Sequence, residues 1–196
     1  MDVYNQEITD AELMAELCAG QKGRLEMLMQ RYYQPLFRVA WSKLLHRQAA
    51  EDVVQETFIA VYGSRESYNS EFSFSTWVWT ILLNLCRREL KRQWRQKPIQ
   101  YVDQNLFANA SFPGTITEEN GLTLLLLQER RQQIIQSLTQ LPEPQADAIR
   151  LRFYGELPYE EISRTMNCSL SGAKRRVKTG LIKLADILQT VEEGEV

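Results

Sequence analysis

Two blocks of cations carry most of the chemistry this chain could do. Arg87, Arg88, Lys91, Arg92, Arg95 and Lys97 stand against Glu89 alone, and Lys174, Arg175, Arg176, Lys178 and Lys183 against no anion at all. Arg87, Lys91 and Arg95 are spaced i, i+4, i+8, which puts them in one stripe on a helix, with Arg88 and Arg92 beside it. Aromatic residues lead into the first block: Tyr68, Phe72, Phe74, Trp77 and Trp79. Duplex DNA does not need them. A single strand does, because unstacked bases pack on aromatic faces while cations hold the backbone. Trp77 or Trp79 alone reads as a core residue with a charged continuation. The combination with a polar loop (Asn69 within it) and with Asn84 points to a single-strand surface.

Other chemistries find little support. Three cysteines (Cys18, Cys86, Cys168) and one histidine (His46) lie far apart, without C-x-x-C or H-x-x-x-H spacing. That excludes a zinc site of known spacing and a disulfide scaffold, and leaves three reduced, mostly buried thiols as the expectation. The carboxylates fall on solvated helical faces without a metal or nucleophile partner, so no catalytic set, metal or cofactor is expected. No run reaches about 18 uncharged apolar residues, so no membrane insertion is expected. The polar, acidic start lacks the basic and apolar regions of a signal peptide, and a cytoplasmic location follows. The net charge of −2 over 196 residues argues weakly against nucleic acid, unless charge is segregated along the chain, as the two blocks show it to be.

The elements that must position these residues all read as helices. Thr9 and Glu12 have capping-box spacing and start a short helix, whose end Gly20 and Gly23 bracket. Leu25 to Leu45 carries apolar residues at helical spacing. A third helix spans about Gln48 to Tyr62, with Val53, Val54, Phe58 and Val61 on one face and Glu51, Asp52, Gln55 and Glu56 on the other. After a turn-rich stretch, a fourth helix runs from about Thr76 to Gln96. Residues 98–118 hold Pro98, Pro113 and Gly114 with no sustained period and read as a flexible linker. A helix near Glu118 to Gln140, another from Pro144 to about Tyr154 with Gly155 as its C-cap, and a short one from Tyr159 to Met166 follow. The last runs from Ser171 to about Val191. The fold class is all-α, with two small helical domains at 1–97 and 119–196.

The last two helices, joined by the turn Asn167 to Leu170, read as a helix-turn-helix. At about 100° per residue, Leu170, Ala173, Val177, Leu181, Leu184 and Leu188 face a core. Ser171, Arg175 and Thr179 then point away, with Lys174 and Lys178 on one flank and Arg176 on the other. Such a surface suits major-groove entry, where Arg or Lys reads guanine edges and flanking cations hold phosphates. The same periodicity also fits an ordinary amphipathic helix with a solvated basic face.

Three segments in order resemble the bacterial RNA polymerase sigma factors of the two-domain extracytoplasmic-function (ECF) group. Ala50-Glu51-Asp52-Val53-Val54-Gln55-Glu56-Thr57-Phe58 is similar to the family's core-binding helix. Phe74-Ser75-Thr76-Trp77-Val78-Trp79-Thr80-Ile81 through Asn84 to Arg88 resembles its promoter-melting and minus-ten helix. Leu141-Pro142-Glu143-Pro144-Gln145 through Tyr159-Glu160-Glu161-Ile162 to Lys174-Arg175-Arg176 resembles the domain for the minus-thirty-five element. The resemblance implies a specificity subunit rather than an enzyme. Residues 1–97 would bind core polymerase and recognise and melt the minus-ten element, and 119–196 would read the minus-thirty-five element as duplex.

Residue by residue, the resemblance implies that Glu51, Asp52, Gln55 and Glu56 dock on the polymerase β′ clamp, with the β flap a further polymerase contact. Tyr68 and Asn69, in a loop from Ser67 to Ser73 with Asn84 nearby, would hold a flipped minus-ten base, and Trp77 would buttress that loop. Arg87, Arg88, Lys91 and Arg92 would bind backbone. Ser171, Lys174, Arg175, Arg176, Lys178 and Thr179 would lie against minus-thirty-five DNA. Core RNA polymerase, promoter DNA and an anti-sigma factor are the partners implied. The chain departs from the family pattern at Gly172-Ala173, at Thr179-Gly180-Leu181 and at Ala146. Two other readings compete: a helix-turn-helix regulator binding duplex DNA without a sigma role, and an adaptor bundle whose basic helices bind an acidic protein.

Overall fold

A computed structural model describes residues 8–95 and 121–194. Among them all regular structure is helical: α1 (Asp10–Cys18), α2 (Gly23–Leu44), α3 (Arg47–Gly63), a 3-10 turn (Arg65–Ser67), α4 (Phe74–Arg95), α5 (Gly121–Thr139), α6 (Glu143–Phe153), α7 (Tyr159–Thr165) and α8 (Leu170–Gly194). The all-α expectation holds. The expected linker 98–118 and Lys97 lie outside the described residues.

Local chemistry sets the helix starts. Thr9 Oγ1 accepts from the Glu12 amide at 3.2 Å, and Glu12 Oε2 accepts from the Thr9 amide at 2.7 Å, so α1 opens on the expected capping box. The lone histidine is a cap: His46 Nδ1 accepts from the Ala49 amide at 3.1 Å, which starts α3 at Arg47, one residue before the expected Gln48. Ser169 does the same for α8, its Oγ accepting from the Gly172 amide at 3.1 Å.

The first unit packs α1 to α4 around Leu13, Leu17, Leu28, Val54, Phe58 and Trp79. In the second, α8 lies against α5, α6 and α7. Two sequence expectations change here. Leu170 and Leu181 are exposed, while Gly180 is buried and takes the place of Leu181 in the core stripe. The reason is the α6–α8 crossing: a Cβ at Gly180 would stand 2.8 Å from Ile149 Cδ1 and 3.2 Å from Gln145 Cβ. The helices approach each other at Gly180, where a side chain would have to displace Ile149, and the apolar face rotates toward Ala173, Val177 and Leu184. The three thiols are free, but only Cys86 is buried; Cys18 is exposed and Cys168 half-buried.

The two units are in contact. α2 meets α6, and α4 meets α7. One apolar cluster runs from Leu13 through Trp79 to Leu151, Leu157, Ile162 and Val177, crossing from unit to unit. Beside it lies a buried group of charges. Asp147 on α6 is fully buried and meets Lys43 Nζ of α2 at 2.6 Å, Arg150 at 3.4 Å and Arg87 of α4 at 3.5 Å. Glu143 receives Lys43 at 2.9 Å and Arg87 at 3.1 Å. Arg150 donates its Nε–H to the Ser42 carbonyl at 3.3 Å, near the C-terminal end of α2.

Gly155 also belongs to this junction. α6 ends on Tyr154 in helical conformation, and the left-handed residue beyond it is Glu156 at φ 59°, so Gly155 does not end the helix by its conformation as expected. Its lack of a side chain is what matters. A Cβ there would stand 2.9 Å from the Leu151 carbonyl oxygen, 3.0 Å from Leu157 Cδ1 and 3.1 Å from the Trp79 ring. Gly155→Ala should therefore cost about 1–3 kcal/mol through overpacking. Gly63→Ala, at the open end of α3 with nothing within 4 Å, should shift stability by less than about 1 kcal/mol. Urea unfolding of both variants checks the contrast.

Candidate nucleic-acid interface

The loop before α4 is built from its own side chains. Asn69 Oδ1 accepts from the Glu71 amide at 2.9 Å, an Asx turn. Tyr68 donates its hydroxyl to the Phe72 carbonyl at 2.8 Å, which closes the loop across its ends. Ser73 Oγ accepts from the Thr76 amide at 3.2 Å and starts α4. Partial burial raises the Tyr68 phenol above its ordinary value, which keeps the hydroxyl a donor.

The two tryptophans divide the roles the sequence left open. Trp79 points into the core and is fully buried. Trp77 is half-buried and stands on the loop side, 5.1 Å from the Tyr68 ring and 6.2 Å from Phe74. Tyr68, Asn69, Phe72, Thr76, Trp77 and Thr80 share a cavity of about 630 Å³. Asn84 lies one turn beyond Thr80 and outside this cavity, where its Oδ1 accepts from Arg87 at 3.2 Å. Phe72, exposed at the rim, and the Thr76/Thr80 pair belong to the site by position; their i, i+4 spacing in front of Trp77 was the signal available in the sequence.

The basic stripe of α4 is largely paired within the chain. Arg87 meets Glu143 and Asp147. Arg88 pairs with Glu56 of α3. Arg92 holds Glu89 at 2.7 and 2.9 Å, and these hydrogen bonds lower the Glu89 carboxyl below its ordinary value. Lys91 and Arg95 are exposed. With Asp52, Glu56, Arg88 and Arg92 they line a groove of about 710 Å³ between α3 and α4.

The acidic face of α3 is thus split. Asp52 and Glu56 turn to the cationic groove, whereas Glu51 pairs with Arg47 at 2.9 Å and Gln55 faces solvent. Ile59, one turn after Gln55, is 64% exposed and extends that solvent face with an apolar residue.

In the second unit, α7 and α8 form the expected helix-turn-helix around Asn167, which takes φ 46° in the turn. Ser171, Lys174, Arg175 and Lys178 are exposed, and Arg176 and Thr179 are half-buried. Thr179 spends its hydroxyl on the Arg175 carbonyl at 2.8 Å, which leaves its methyl group the more available end. Tyr159 holds cations from two helices over its ring, Arg152 at 5.2 Å and Lys174 at 5.9 Å. No residue spacing signals that clamp, which orients Lys174 on the flank of α8.

A helical unit with an aromatic loop and basic stripe, followed by a helix-turn-helix unit, is the arrangement of the sigma-70 class. Residues 28–96 match Sigma-70 region 2, and residues 131–184 match Sigma-70, region 4. The ECF RNA polymerase sigma-E factors of Escherichia coli (strain K12) and Salmonella typhi are each 30% identical over 174 residues, covering 88% of this chain and 91% of the relative. That of Haemophilus influenzae is 28% identical over 176 residues. The chain belongs to the ECF RNA polymerase sigma factor family. Its fold is similar to that of CnrH in complex with the cytosolic domain of CnrY, with a TM-score of 0.68 at 19% identity over 92% of this chain and 97% of that one. It is also similar to the sigma factor RpoE bound to the anti-sigma factor NepR from Bartonella quintana, with a TM-score of 0.59 at 20% identity over 84% and 96%. Among the described residues no helix is long and apolar enough to cross a membrane.

The different placement of the tryptophans has a measurable consequence. Trp79→Ala should cost about 3–5 kcal/mol of stability. Trp77→Ala, half-buried on the loop, should cost about 1–2 kcal/mol. Thermal unfolding followed by circular dichroism distinguishes the two.

Proposed function

We propose that this chain directs promoter-specific initiation by binding core RNA polymerase and reading two promoter elements in two forms, the minus-thirty-five element as duplex and the minus-ten element as melted single strand. It acts as a specificity subunit, and phosphodiester chemistry belongs to the polymerase. Its work is cytoplasmic. What supports the reading is the presence, on one chain, of two exposed surfaces of different make, one aromatic and one purely basic. Tyr68, Phe72 and Trp77 offer aromatic faces for an unstacked base in a cavity of about 630 Å³, whose far wall is Ser163, Arg164, Asn167 and Cys168. The exposed face of α8 offers Lys174, Arg175 and Lys178 without aromatic companions, as groove reading requires.

The solvent side of α3, with Glu51, Gln55 and Ile59, is the surface offered to polymerase. An apolar centre with a polar rim suits a protein interface better than a nucleic-acid one. The β′ clamp takes this face and the β flap contacts the second unit. An anti-sigma factor is the further partner, a reading supported by the sigma factor RpoE being similar to this chain while bound to the anti-sigma factor NepR.

Transcription from a promoter library with purified core polymerase tests the whole reading, with transcript starts identified by sequencing. New start sites should appear only when the chain is added. Gln55→Arg should weaken core binding about tenfold or more, because it places a cation at the centre of the docking face. Arg175→Ala should relax preference at one upstream base pair, by about 1–3 kcal/mol of discrimination. Tight duplex binding without polymerase, together with no new start sites, would instead favour the plain helix-turn-helix regulator.

A further inference from the structure

We propose that Thr179 is a specificity-determining residue of α8, whose methyl group selects a thymine within about two base pairs of a guanine read by Arg175. This rests on the proposed assignment of α8 to the minus-thirty-five duplex.

The outward face of α8 is chemically one-sided. From Ser171 to Lys183 the helix holds five cations and no Asp, Glu, Asn, Gln or His. Lys and Arg donate hydrogen bonds and accept none. They match the O6 and N7 acceptors of guanine, whereas the N6 of adenine and the N4 of cytosine call for an acceptor. No carboxylate or amide of this stretch supplies one. Two hydroxyls remain, and both are engaged within the chain. Ser171 Oγ is paired with Ser169 Oγ at 3.1 Å. Thr179 donates its hydroxyl to the Arg175 carbonyl at 2.8 Å. Such a face distinguishes base pairs by donors and by apolar contact, and the thymine methyl is the apolar mark of the major groove.

Thr179 is placed to make that contact. Its oxygen is turned in toward the helix backbone, which holds one rotamer and leaves the methyl as the outward end. The backbone beneath it is fixed as well. Gly180 is buried against α6 so closely that a Cβ there would stand 2.8 Å from Ile149 Cδ1. Thr179 itself is half-buried, so a methyl docking on it displaces little ordered surface, while Arg175 one turn earlier is exposed. Four helical residues rise about 6 Å and stacked base pairs about 3.4 Å, so the two side chains meet pairs one or two steps apart. Ile182 lies on the same side and is 54% exposed. It stands about 10 Å beyond Arg175, toward the end of the helix that leaves the groove. Burying one methyl group corresponds to about a fourfold change in affinity.

Base analogues test the contact with the full chain and core polymerase. A promoter library randomised over the upstream element should enrich a guanine and, within about two pairs of it, a thymine. Replacing that thymine with deoxyuridine removes its methyl alone and should weaken promoter binding about fourfold. Thr179→Ser keeps the hydroxyl without the methyl, and its holoenzyme should no longer distinguish the two bases. Thr179→Val keeps a methyl without the hydroxyl and should still prefer thymine. Ile182→Ala should leave the distinction intact. An enriched element without thymine overturns the proposal, and so does a deoxyuridine swap without effect. A Thr179→Ser holoenzyme that still prefers thymine does the same, as does an Ile182→Ala holoenzyme that does not. Equal loss of affinity on every sequence in Thr179→Val, with none in Thr179→Ser, would assign the hydroxyl to phosphate and overturn it too. Absence of chain-dependent start sites overturns the sigma reading instead. The same library, selected as duplex by the full chain without polymerase, then decides the thymine contact by the same substitutions, and a chain that selects no duplex there overturns both.

Discussion

The Asp147 carboxylate is the constraint on which the rest of this structure depends. It is fully buried, and three cations from three helices converge on it: Lys43 of α2, Arg87 of α4 and Arg150 of its own α6. A lone carboxylate in that position would be untenable, and so would Lys43 or Arg150, each of which is almost wholly buried. Each charge is tolerable only because the others are present. Burial lowers Arg150 from its ordinary value, yet Asp147 and the Ser42 carbonyl supply the partners that keep it charged. Cys86, packed alongside, has its thiol pushed up to about 12 by burial, so it adds no further charge to the group. The cluster therefore fixes the register of α6 against α2 and α4 to within a hydrogen-bond length.

That register positions everything else at the junction. With α6 seated, its C-terminal end brings Gly155 under the Trp79 ring, and the chain must turn there through the left-handed Glu156. The turn delivers Pro158 and α7 onto the N-terminal part of α4, where Glu161 finds Ser75 and Ile162 enters the core. α8 follows across α6 at Gly180 with its basic half facing outward. The placement of both nucleic-acid surfaces relative to each other is thus a consequence of one buried charge group and two glycines.

Much of this was legible in the sequence. The helix set followed from apolar periodicity and cap chemistry, because Thr9 with Glu12 and the prolines at 142, 144 and 158 act within a few residues of themselves. The aromatic loop and the two basic blocks were legible because residue type alone states the chemistry. What was not legible needed distance information. Asp147 and Lys43 are 104 positions apart and each reads as an ordinary surface charge on its own helix. Leu181 fits the apolar stripe better than Gly180 in any count of hydrophobic spacing, and only the approach of Ile149 reverses that order. His46 as a cap was not legible, because Ser, Thr, Asp and Asn are the usual caps and only the Ala49 amide shows what Nδ1 accepts. Trp77 and Trp79 are alike by residue type, and only the fold decides which of them faces the loop.

Charge partition takes on a different meaning once the fold is known. The near-neutral total of −2 conceals two basic blocks of similar strength, but the folded chain does not expose them equally. On α4, Arg87, Arg88 and Arg92 each hold a carboxylate of the same chain. On α8, Lys174, Arg175, Arg176 and Lys178 form no ion pair among the described residues, and Tyr159 stations Lys174 rather than neutralising it. Phosphate affinity scales with the number of cations available to release counterions. A chain with one block free of ion pairs offers fewer cations to phosphate than its sequence contains. On α4 only the pairing of Arg87 depends on α6, since Arg88 is held by Glu56 of α3 and Arg92 by Glu89 of its own helix. What each block can do follows from its pairing rather than from its cation count: α8 presents its basic face to solvent, whereas α4 presents Lys91 and Arg95 while its other three described cations hold acids of the chain.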